Sequence, residues 1–419
     1  MAKQTIDQID VKGRRVFVRA DFNVPQDANG RITDDRRIHS TLPTIRSVLS
    51  RGGSVVAASH LGRPAGNGHE TTYSLAPVAQ RLRELLGSDA ISVRLVGSLA
   101  TDVDAAAAAA VLRPGEVLLL ENLRFENGEK KGDAAYAAKL AAYADAYCND
   151  AFGASHRNDA SMLALPNAMK PRPCVAGLLL AKELQFLGET IGNPPRPFVA
   201  VLGGAKVSDK LPALRHLIGR VDAILVGGAM AYTFLLAAGQ SVGRSLVQRD
   251  LVKEAQSIVD LAQSKSTRLV LPVDHVCGES LVEGTAVQTC SEVPEDWMGL
   301  DIGPATEAAF TQEIKRARLV VWNGPMGAFE VPPFDHGTIA IAKALAQATR
   351  DGCVTIAGGG DTAAAVEVAG VAEVFTHIST GGGASLEMLE GKVFDSLEPL
   401  VASDESTPTM QKLARRNEL

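Results

Sequence analysis

The sequence predicts an α/β protein with two doubly wound, mostly parallel-sheet (Rossmann-like) domains joined by a helical hinge. Short runs of Val, Ile and Leu alternate with Ala- and Leu-rich helical patterns over nearly the whole chain, as in parallel sheets covered on both faces. The 419 residues are 46% apolar, which is enough for two separate cores. A proline-rich connector at 192–197 divides the chain, and the alternation restarts after it.

The elements can be predicted in chain order. Short apolar, β-branched runs predict strands at 16–19, 55–59, 117–120, 146–148, 198–202, 223–226, 269–272, 319–322 and 354–357. Apolar residues with a helical period predict helices between them, at 75–86, 133–144, 210–218, 251–263, 306–316 and 337–347. Six alanines at 105–110 are further helix formers, whereas Arg36 and Arg37 lie in a turn-rich stretch.

The domain boundary is predicted near residue 180. A helical run at 178–191 is followed by Gly-Asn-Pro-Pro-Arg-Pro, which ends a helix and stiffens the connector. We therefore expect a first domain at 1–180 and a second domain at 181–390. The chain turns polar at 403–419, which predicts a peripheral tail.

Composition excludes several classes of protein. A net charge of −6 argues against a nucleic-acid binder, although the first 180 residues are mildly basic and the remainder acidic, which favours anion handling on the first domain. The uncharged stretch 223–243 contains a Gly-Gly turn, so it predicts a strand and a buried helix rather than a membrane span. Five scattered cysteines and the lack of an apolar leader predict a cytoplasmic protein with free thiols.

Charged and polar residues follow the predicted strands of the first domain. Ligands of open α/β sheets bind beyond the carboxyl ends of the strands, so these residues are candidates for a site. Arginine forks match phosphate and carboxylate oxygens, and several of them in one basic domain predict an anionic substrate. The candidates are Asp21, Phe22, Asn23, Arg37, His60, Leu61, Gly62, Arg63, Arg124 and Arg157.

Glycine-rich turns follow the strands of the second domain. Glycine lets backbone N–H groups approach a polyphosphate, and a helix N-terminus adds a favourable potential. Lys206 and Lys210 are spaced to share one face if a helix begins there, and Asp361 suits a Mg²⁺–phosphate contact. The other candidates in these turns are Gly324, Glu330, Gly359, Gly360, Thr362, Gly381 and Gly382.

Two other functions fit parts of this pattern. Residues 358–363 match G-x-G-x-x-A after a strand, as in an NAD-dependent oxidoreductase, but the acidic residue expected about 20 positions later is missing. The chain has no Walker-type G-x-x-x-x-G-K-[ST] motif. A non-catalytic, two-lobed anion-binding protein is the second alternative. It does not explain the paired lysines Lys206 and Lys210 or the presence of Asp361.

Taken together, eight stretches resemble the phosphoglycerate kinase family, in that family's order: 18–25, 59–64, 121–125, 149–157, 203–210, 321–330, 358–362 and 379–383. The resemblance implies a monomeric, glycolytic enzyme of two lobes. It would transfer a phosphoryl group between 1,3-bisphosphoglycerate and ADP in line, with Mg²⁺, after hinge closure. It also implies that a C-terminal segment at about 390–405 packs back on the first domain.

The resemblance also implies roles for the candidate residues. The first-domain set would bind phosphoglycerate, with Arg37 at the reacting carboxyl group and His60, Arg63, Arg124 and Arg157 mostly at the 3-phosphate. Lys206, Lys210, Gly324 and the 359–362 turn would bind the nucleotide phosphates, Glu330 the ribose, and Asp361 the Mg²⁺, mainly through the phosphates. The catalytic residues would be Arg37, Lys206, Lys210, Gly381 and Gly382, which neutralise charge on the transferred group.

Overall fold

The chain folds into two compact units. The computed structural model describes residues 2–87 and 91–402, so the predicted tail at 403–419 lies outside the described residues. One unit contains the chain up to Glu189 and again from Phe394, and the other contains Thr190–Val393. The boundary between the units at Glu189 therefore lies nine residues beyond the predicted boundary at 180. In the described part of the chain, no helix has the length and apolar character needed to cross a membrane.

The first unit is built on a six-stranded, entirely parallel sheet. Its strands are β1 (Arg15–Ala20), β2 (Ser54–Ala58), β3 (Val93–Leu95), β4 (Val117–Leu119), β5 (Ala146–Asp150) and β6 (Cys174–Ala176). They are arranged in the order β3-β4-β2-β1-β5-β6. The chain builds outward from β1 on one side and then continues on the other, which is the doubly wound arrangement.

Helices cover the sheet of the first unit. They are α1 (Arg36–Ser50), α2 (Ala76–Leu86), α3 (Val103–Ala110), α4 (Asn127–Lys130), α5 (Ala134–Ala141), α6 (Ala164–Met169) and α7 (Leu178–Glu183). In α1, Ile38, Leu42 and Ile45 recur at helical spacing and are buried in the same core as the β1 and β2 side chains. The expectation that Arg36 and Arg37 lie in turns is wrong, because both belong to the first turn of α1.

The second unit repeats this architecture with a second six-stranded parallel sheet. Its first three strands are β7 (Phe198–Leu202), β8 (Ala223–Val226) and β9 (Arg268–Val270). Three strands of a separate sheet follow in the chain, β10 (His275–Gly278), β11 (Val287–Cys290) and β12 (Met298–Ile302). The large sheet then continues with β13 (Leu319–Asn323), β14 (Val354–Gly358) and β15 (His377–Ile378). The order of the large sheet is β15-β14-β13-β7-β8-β9. The predicted fold class of two mostly parallel, doubly wound sheets is confirmed.

The helices of the second unit are α8 (Leu211–Leu217), α9 (Met230–Ala237), α10 (Val252–Ser264), α11 (Pro304–Arg316), α12 (His336–Arg350), α13 (Gly360–Val368) and α14 (Gly383–Leu389). The uncharged stretch 223–243 forms β8 and α9, as predicted. Every side chain in β8, and α9 from Met230 to Leu235, is buried, which explains the lack of charge without a membrane.

A three-stranded antiparallel sheet in the second unit is absent from the sequence prediction. Its order is β11-β10-β12, and β11 is largely exposed at one edge. Short, exposed edge strands carry no continuous apolar run, so periodicity alone does not reveal them. The short strands β3, β6 and β15, of two or three residues each, are also absent from the sequence prediction.

The predicted helical run at 178–191 is two kinds of helix. It begins as α7 and continues as a π-helix at Leu184–Thr190. The carboxylate of Asp150, at the end of β5, accepts hydrogen bonds from the backbone N–H groups of Leu179 (3.0 Å) and Leu180 (3.1 Å). Asp150 therefore ties the first turn of this helical segment to the central sheet.

Burial makes Asp150 sensitive to pH. It raises the pKa of this carboxyl group to about 7, although the hydroxyl of Thr44 and two backbone N–H groups oppose the shift. Because the pKa is higher in the folded state, the group favours folding at low pH and loses that contribution as the pH rises towards 7. A neutral amide at this position would have no such dependence.

We compare the free energy of unfolding of the first unit in Asp150→Asn and in the parent protein. From pH 5 to pH 8, the difference between them should shift in favour of the variant by about 2.5 kcal/mol. Urea titrations at the two pH values measure this change. Asp104→Asn, in an exposed position at the start of α3, is the control and should change by less than about 1 kcal/mol. An equal pH response in both variants would contradict the assignment to Asp150.

Candidate functional site

The polar candidates of the first unit lie beyond four neighbouring strands. β4, β2, β1 and β5 are adjacent in the sheet, and they lead into Arg124, His60, Asp21 and Arg157, respectively. Because parallel strands end at the same edge, these residues lie along one edge of the first sheet. We call His60, Arg37, Arg63, Arg124 and Arg157 the basic cluster.

His60 shows how closely the basic cluster is assembled. Its side chain is 3% exposed, and burial together with the positive charges of Arg19, Arg124, Arg157 and Arg37 holds the pKa of the imidazole well below its ordinary value. The ring is therefore neutral at pH 7. A guanidinium N–H of Arg19 lies 3.3 Å from Nδ1, and since a guanidinium can only donate, the ring proton is on Nε2.

Asp21 and Asn23 organise the first loop of the site. One carboxylate oxygen of Asp21 accepts a hydrogen bond from Arg37 at 2.7 Å, and the side-chain oxygen of Asn23 accepts one from the backbone N–H of Gly62 at 2.8 Å. Gly62 has a φ of +62°, and a Cβ there would come within 2.5 Å of the Tyr73 ring. Glycine is thus required where the chain passes from β2 towards Arg63.

Arg124 is buried with an unused donor. One N–H donates to the carbonyl of Gly62 at 3.1 Å, and another forms an ion pair with Asp159 at 3.3 Å. The Nε of Arg124 has no hydrogen-bond partner, and burial lowers the pKa of this guanidinium. A buried donor without an acceptor is costly, so this position suits an anionic ligand.

Arg63 and Arg157 are the two arginines of the basic cluster that have no carboxylate partner among the described residues. Arg63 is exposed, and Arg157 is half-buried with its Nε 3.2 Å from the Nε2 of His156. Within residues 2–87 and 91–402, no carboxylate forms an ion pair with either guanidinium group. Their charges are therefore available to a bound anion.

A buried network lies behind the basic cluster, and sequence reasoning missed it. Arg19 is fully buried; its Nε donates to the hydroxyl of Ser161 at 2.7 Å, and its guanidinium lies 3.9 Å from Glu129. Glu129 accepts hydrogen bonds from both the hydroxyl and the backbone N–H of Ser161. Burial raises the pKa of Glu129, and Arg19 opposes the shift. An arginine inside the apolar run V-F-V-R-A was the available signal for this network.

Asn122 fixes the loop that carries Arg63. Its side-chain amide donates to the carbonyls of Leu61 (2.7 Å) and Tyr73 (2.9 Å), and its oxygen accepts from the backbone N–H of Arg124. The buried carboxylate of Glu121 accepts from the hydroxyl of Ser74 and from two backbone N–H groups. Both residues were inside a recognised motif but had no predicted role, because their partners are backbone atoms distant in sequence.

Two predicted substrate-binding residues, Phe22 and Leu61, have their side chains in the core. Phe22 and Leu61 are 0% and 2% exposed, and both belong to the hydrophobic cluster of the first unit. Each follows a strand, so strand-end position alone predicted a site residue. Any contact of these two residues with a ligand would therefore be made by the backbone, and their assignment to the site stays a prediction.

The glycine turns of the second unit surround a cavity. Its volume is about 440 Å³, and it lies beyond the carboxyl ends of β7, β13, β14 and β15, which are neighbours in the sheet. The lining residues are Gly203, Gly204, Ala205, Lys206, Asp209, Lys210, Asn323, Gly324, Pro325, Gly359, Gly360, Asp361, Thr362, Gly382, Gly383 and Leu386. We call this space the glycine-loop cavity.

Lys206 and Lys210 both line the glycine-loop cavity, but not as the spacing predicted. Lys206 precedes a 3-10 turn at Val207–Asp209, and Lys210 precedes α8, so the two do not share a face of one helix. The ammonium group of Lys210 donates to the side-chain oxygen of Asn323, and burial lowers the pKa of Lys210. Asn323 was in a recognised motif without an assigned role.

Two other predicted site residues of this unit, Gly381 and Glu330, lie outside the cavity lining, and their roles stay predictions. Gly381 is buried, and its N–H donates to the hydroxyl of Ser379, so Gly382 and Gly383 line the cavity in its place. Glu330 is exposed and does not line the cavity. Gly324 lines it with a φ of +98°, and its N–H donates to Thr362 at 2.7 Å. A Cβ on Gly324 would overlap the backbone of Gly203.

Mg²⁺ with a nucleotide fits the donors of the glycine-loop cavity. Asp361 is exposed at the start of α13, and Asp209 is a second carboxylate on the lining. No group of three or more metal-ligating side chains occurs in the described chain. Mg²⁺ commonly uses one or two carboxylates together with phosphate oxygens and water, so a site with three or more protein ligands is not needed.

The two sites therefore differ in chemistry. The basic cluster offers guanidinium forks and a neutral imidazole N–H, which suit a small phosphorylated or carboxylated compound. The glycine-loop cavity offers backbone N–H groups, two lysines and an exposed carboxylate, which suit a polyphosphate with its divalent cation.

Comparison with known proteins gives one consistent family. The model of the family described as phosphoglycerate kinase matches residues 6–392. The phosphoglycerate kinase of Rhodopirellula baltica is 55% identical over 405 residues, covering 96% of this chain and 99% of the relative. That of Chloroflexus aurantiacus is 50% identical over 402 residues, covering 96% and 99%. The solved phosphoglycerate kinase of Coxiella burnetii has a TM-score of 0.85 at 36% identity, covering 95% and 98%.

We expect Glu129→Ala to lower the free energy of unfolding of the first unit by about 3–5 kcal/mol, because it leaves the buried Arg19 without its counter-charge. Urea unfolding followed by circular dichroism measures the change. The control is Glu84→Ala in the same unit, which breaks the exposed ion pair with Arg81 and should cost less than about 1 kcal/mol. Similar losses in both variants would mean that the buried pair has no special weight.

Proposed function

The chain belongs to the phosphoglycerate kinase family, and on this premise we propose that it catalyses reversible, Mg²⁺-dependent phosphoryl transfer between 1,3-bisphosphoglycerate and ADP, giving 3-phosphoglycerate and ATP. The observation that carries the proposal is the match to one family over residues 6–392, which includes both the basic cluster and the glycine-loop cavity. An NAD-dependent oxidoreductase and a non-catalytic anion-binding protein are not favoured by this match.

We assign the phosphoglycerate to the first unit. Arg63, Arg157 and the unpartnered Nε of Arg124 would bind the 3-phosphate, and the Nε2–H of His60 would donate to it. Asp21 and Asn23 would hold Arg37 and the Gly62 loop in place, as their hydrogen bonds indicate. Arg37 would then face the reacting carboxyl group.

We assign the nucleotide to the second unit. Lys206, Lys210 and the N–H groups of the 359–362 turn would bind its phosphates, with Gly324 and Gly382 completing the cavity. Asp361 would hold Mg²⁺, which when bound neutralises charge on the phosphate oxygens. The ribose contact to Glu330 stays a prediction, since this side chain is exposed and outside the cavity lining.

The proposed reaction needs no general base. The acceptor in the ATP-consuming direction is a carboxylate, which is already ionised at pH 7. The protein's task is then alignment and neutralisation of charge on the transferred phosphoryl group. Arg37 and Lys206 would supply that charge, and Gly382 a backbone donor. His60 is neutral, so it would donate a hydrogen bond to the substrate through Nε2–H without adding positive charge.

The two substrates are assigned to different units of one chain. Because in-line transfer needs the reacting atoms about 3–3.5 Å apart, we propose that the helical segment at 178–190 bends when both substrates are bound. The family resemblance implies that the protein is a monomer. The described cysteines are free thiols, which supports a reducing, cytoplasmic location.

ATP formation tests the proposed activity directly. The protein should produce ATP from 1,3-bisphosphoglycerate and ADP with Mg²⁺, measured by luciferase in the absence of any nicotinamide nucleotide. The metal requirement is tested in reactions that contain either EDTA or excess Mg²⁺, and the ATP formed is then separated and quantified by anion-exchange chromatography, because luciferase itself needs Mg²⁺. A protein that binds both compounds but produces no ATP would contradict the proposal.

We expect Arg157→Ala to raise the KM for 3-phosphoglycerate roughly 10- to 100-fold, because one charge-assisted hydrogen bond of about 1.5–3 kcal/mol is lost. The KM for ATP should stay within about twofold, since the nucleotide residues belong to the other unit. Arg113→Ala is the matched control: Arg113 is exposed and precedes β4, away from the carboxyl ends of the strands. Equal increases in both KM values would overturn the assignment.

Lys206→Ala should lower kcat about 100-fold, with a smaller effect on the KM for ATP, because the ammonium group acts on charge in transit. Steady-state kinetics in both directions measure the two constants. Lys253→Ala, on the exposed face of α10, serves as the control and should retain full activity. If only the KM for ATP rises while kcat stays unchanged, Lys206 binds the nucleotide without assisting transfer.

A further inference from the structure

Two cysteines meet in the three-stranded sheet of the second unit. Cys277 lies on β10 and Cys290 on β11, and the antiparallel register places Cys290 opposite His275. Residues 275 and 277 point to the same face of β10, so both thiols lie on one face of the sheet. Their Sγ atoms are 2.7 Å apart, and both residues are free thiols.

The surroundings of the pair favour reaction at one sulfur first. Cys277 is fully buried in a small apolar cluster with Tyr232 and Val242, whereas Cys290 is only partly buried at its border. Burial and the neighbouring Cys290 raise the pKa of the Cys277 thiol. Cys290 is therefore the accessible nucleophile, and Cys277 is positioned to resolve the product.

We propose that Cys277 and Cys290 form a reversible intramolecular disulfide that links β10 to β11. The oxidant we name is a low-molecular-weight disulfide. The Cys290 thiolate attacks it, forming a mixed disulfide and releasing one thiol; Cys277 then attacks the Cys290 sulfur and releases the second thiol. One external disulfide is thereby reduced to two thiols, and the two protein thiols are oxidised to one disulfide.

The cross-link would act on stability rather than on turnover. The two cysteines are 13 positions apart, so the bond closes a short loop and reduces the freedom of the unfolded chain. Neither cysteine lines the glycine-loop cavity or belongs to the basic cluster. The proposal therefore does not depend on the proposed function, and oxidation should leave kcat and KM unchanged.

Oxidised glutathione is the probe that tests the pair. After treatment of the native full-length protein, thiol titration under denaturing conditions should lose two of the five thiols. Peptide mass spectrometry without reduction should find the 277 and 290 peptides joined, with the loss of two hydrogen masses. The Tm should rise by about 5 °C and return on addition of dithiothreitol.

Two variants keep the test decisive. Cys290→Ser should lose no pair of thiols and show no Tm shift, whereas Cys353→Ser, which removes a buried cysteine beside β14, should respond like the parent protein. Five thiols remaining after oxidation would overturn the proposal. So would a stable glutathione adduct on Cys290 without the cross-link, or a reversible Tm shift that persists in Cys290→Ser.

Discussion

The first unit depends on holding several like charges close to one buried imidazole. Arg19, Arg37, Arg124 and Arg157 all act on His60, and their mutual repulsion is tolerable only because strands and carboxylates fix their positions. Asp21, Glu129 and Asp159 neutralise part of this charge. Arg63 and Arg157 have no carboxylate partner among the described residues. The attraction of a bound anion to this excess positive charge can supply free energy of binding. Strand order makes the imbalance possible, because β4, β2, β1 and β5 are neighbours.

The second unit offers backbone N–H groups and lysines where the first unit offers guanidinium groups, and this set of donors suits a polyphosphate. Glycines at the ends of β7, β13 and β14 let two loops approach each other closely, as where Gly324 lies against Gly203. Lys206 and Lys210 supply the positive charge, and the hydrogen bond from the Lys210 ammonium group to the side-chain oxygen of Asn323 holds Lys210 in position. The two units thus place different sets of donors at the same topological position, the carboxyl edge of a parallel sheet.

Sequence alone predicted the features that depend on local pattern. Apolar runs located the long strands, and residues just after them gave most of the basic cluster and the glycine turns. Features that depend on tertiary contacts were missed. The roles of Arg19 and Asn122 come from partners distant in sequence, the Phe22 side chain packs in the core, and the N–H of Gly381 donates to Ser379 while Gly383 lines the cavity. Strand-end position specifies an edge of the sheet, not the direction of each side chain.

A crystal structure of the protein with 3-phosphoglycerate tests the central claim most directly, namely that the uncompensated charge of the basic cluster is the substrate site. The account predicts the phosphate of the ligand within hydrogen-bond distance of Arg63, Arg157 and the Nε of Arg124, and the carboxylate towards Arg37. Phosphoglycerate bound at the glycine-loop cavity, with the guanidinium groups of the basic cluster free of ligand, would contradict it.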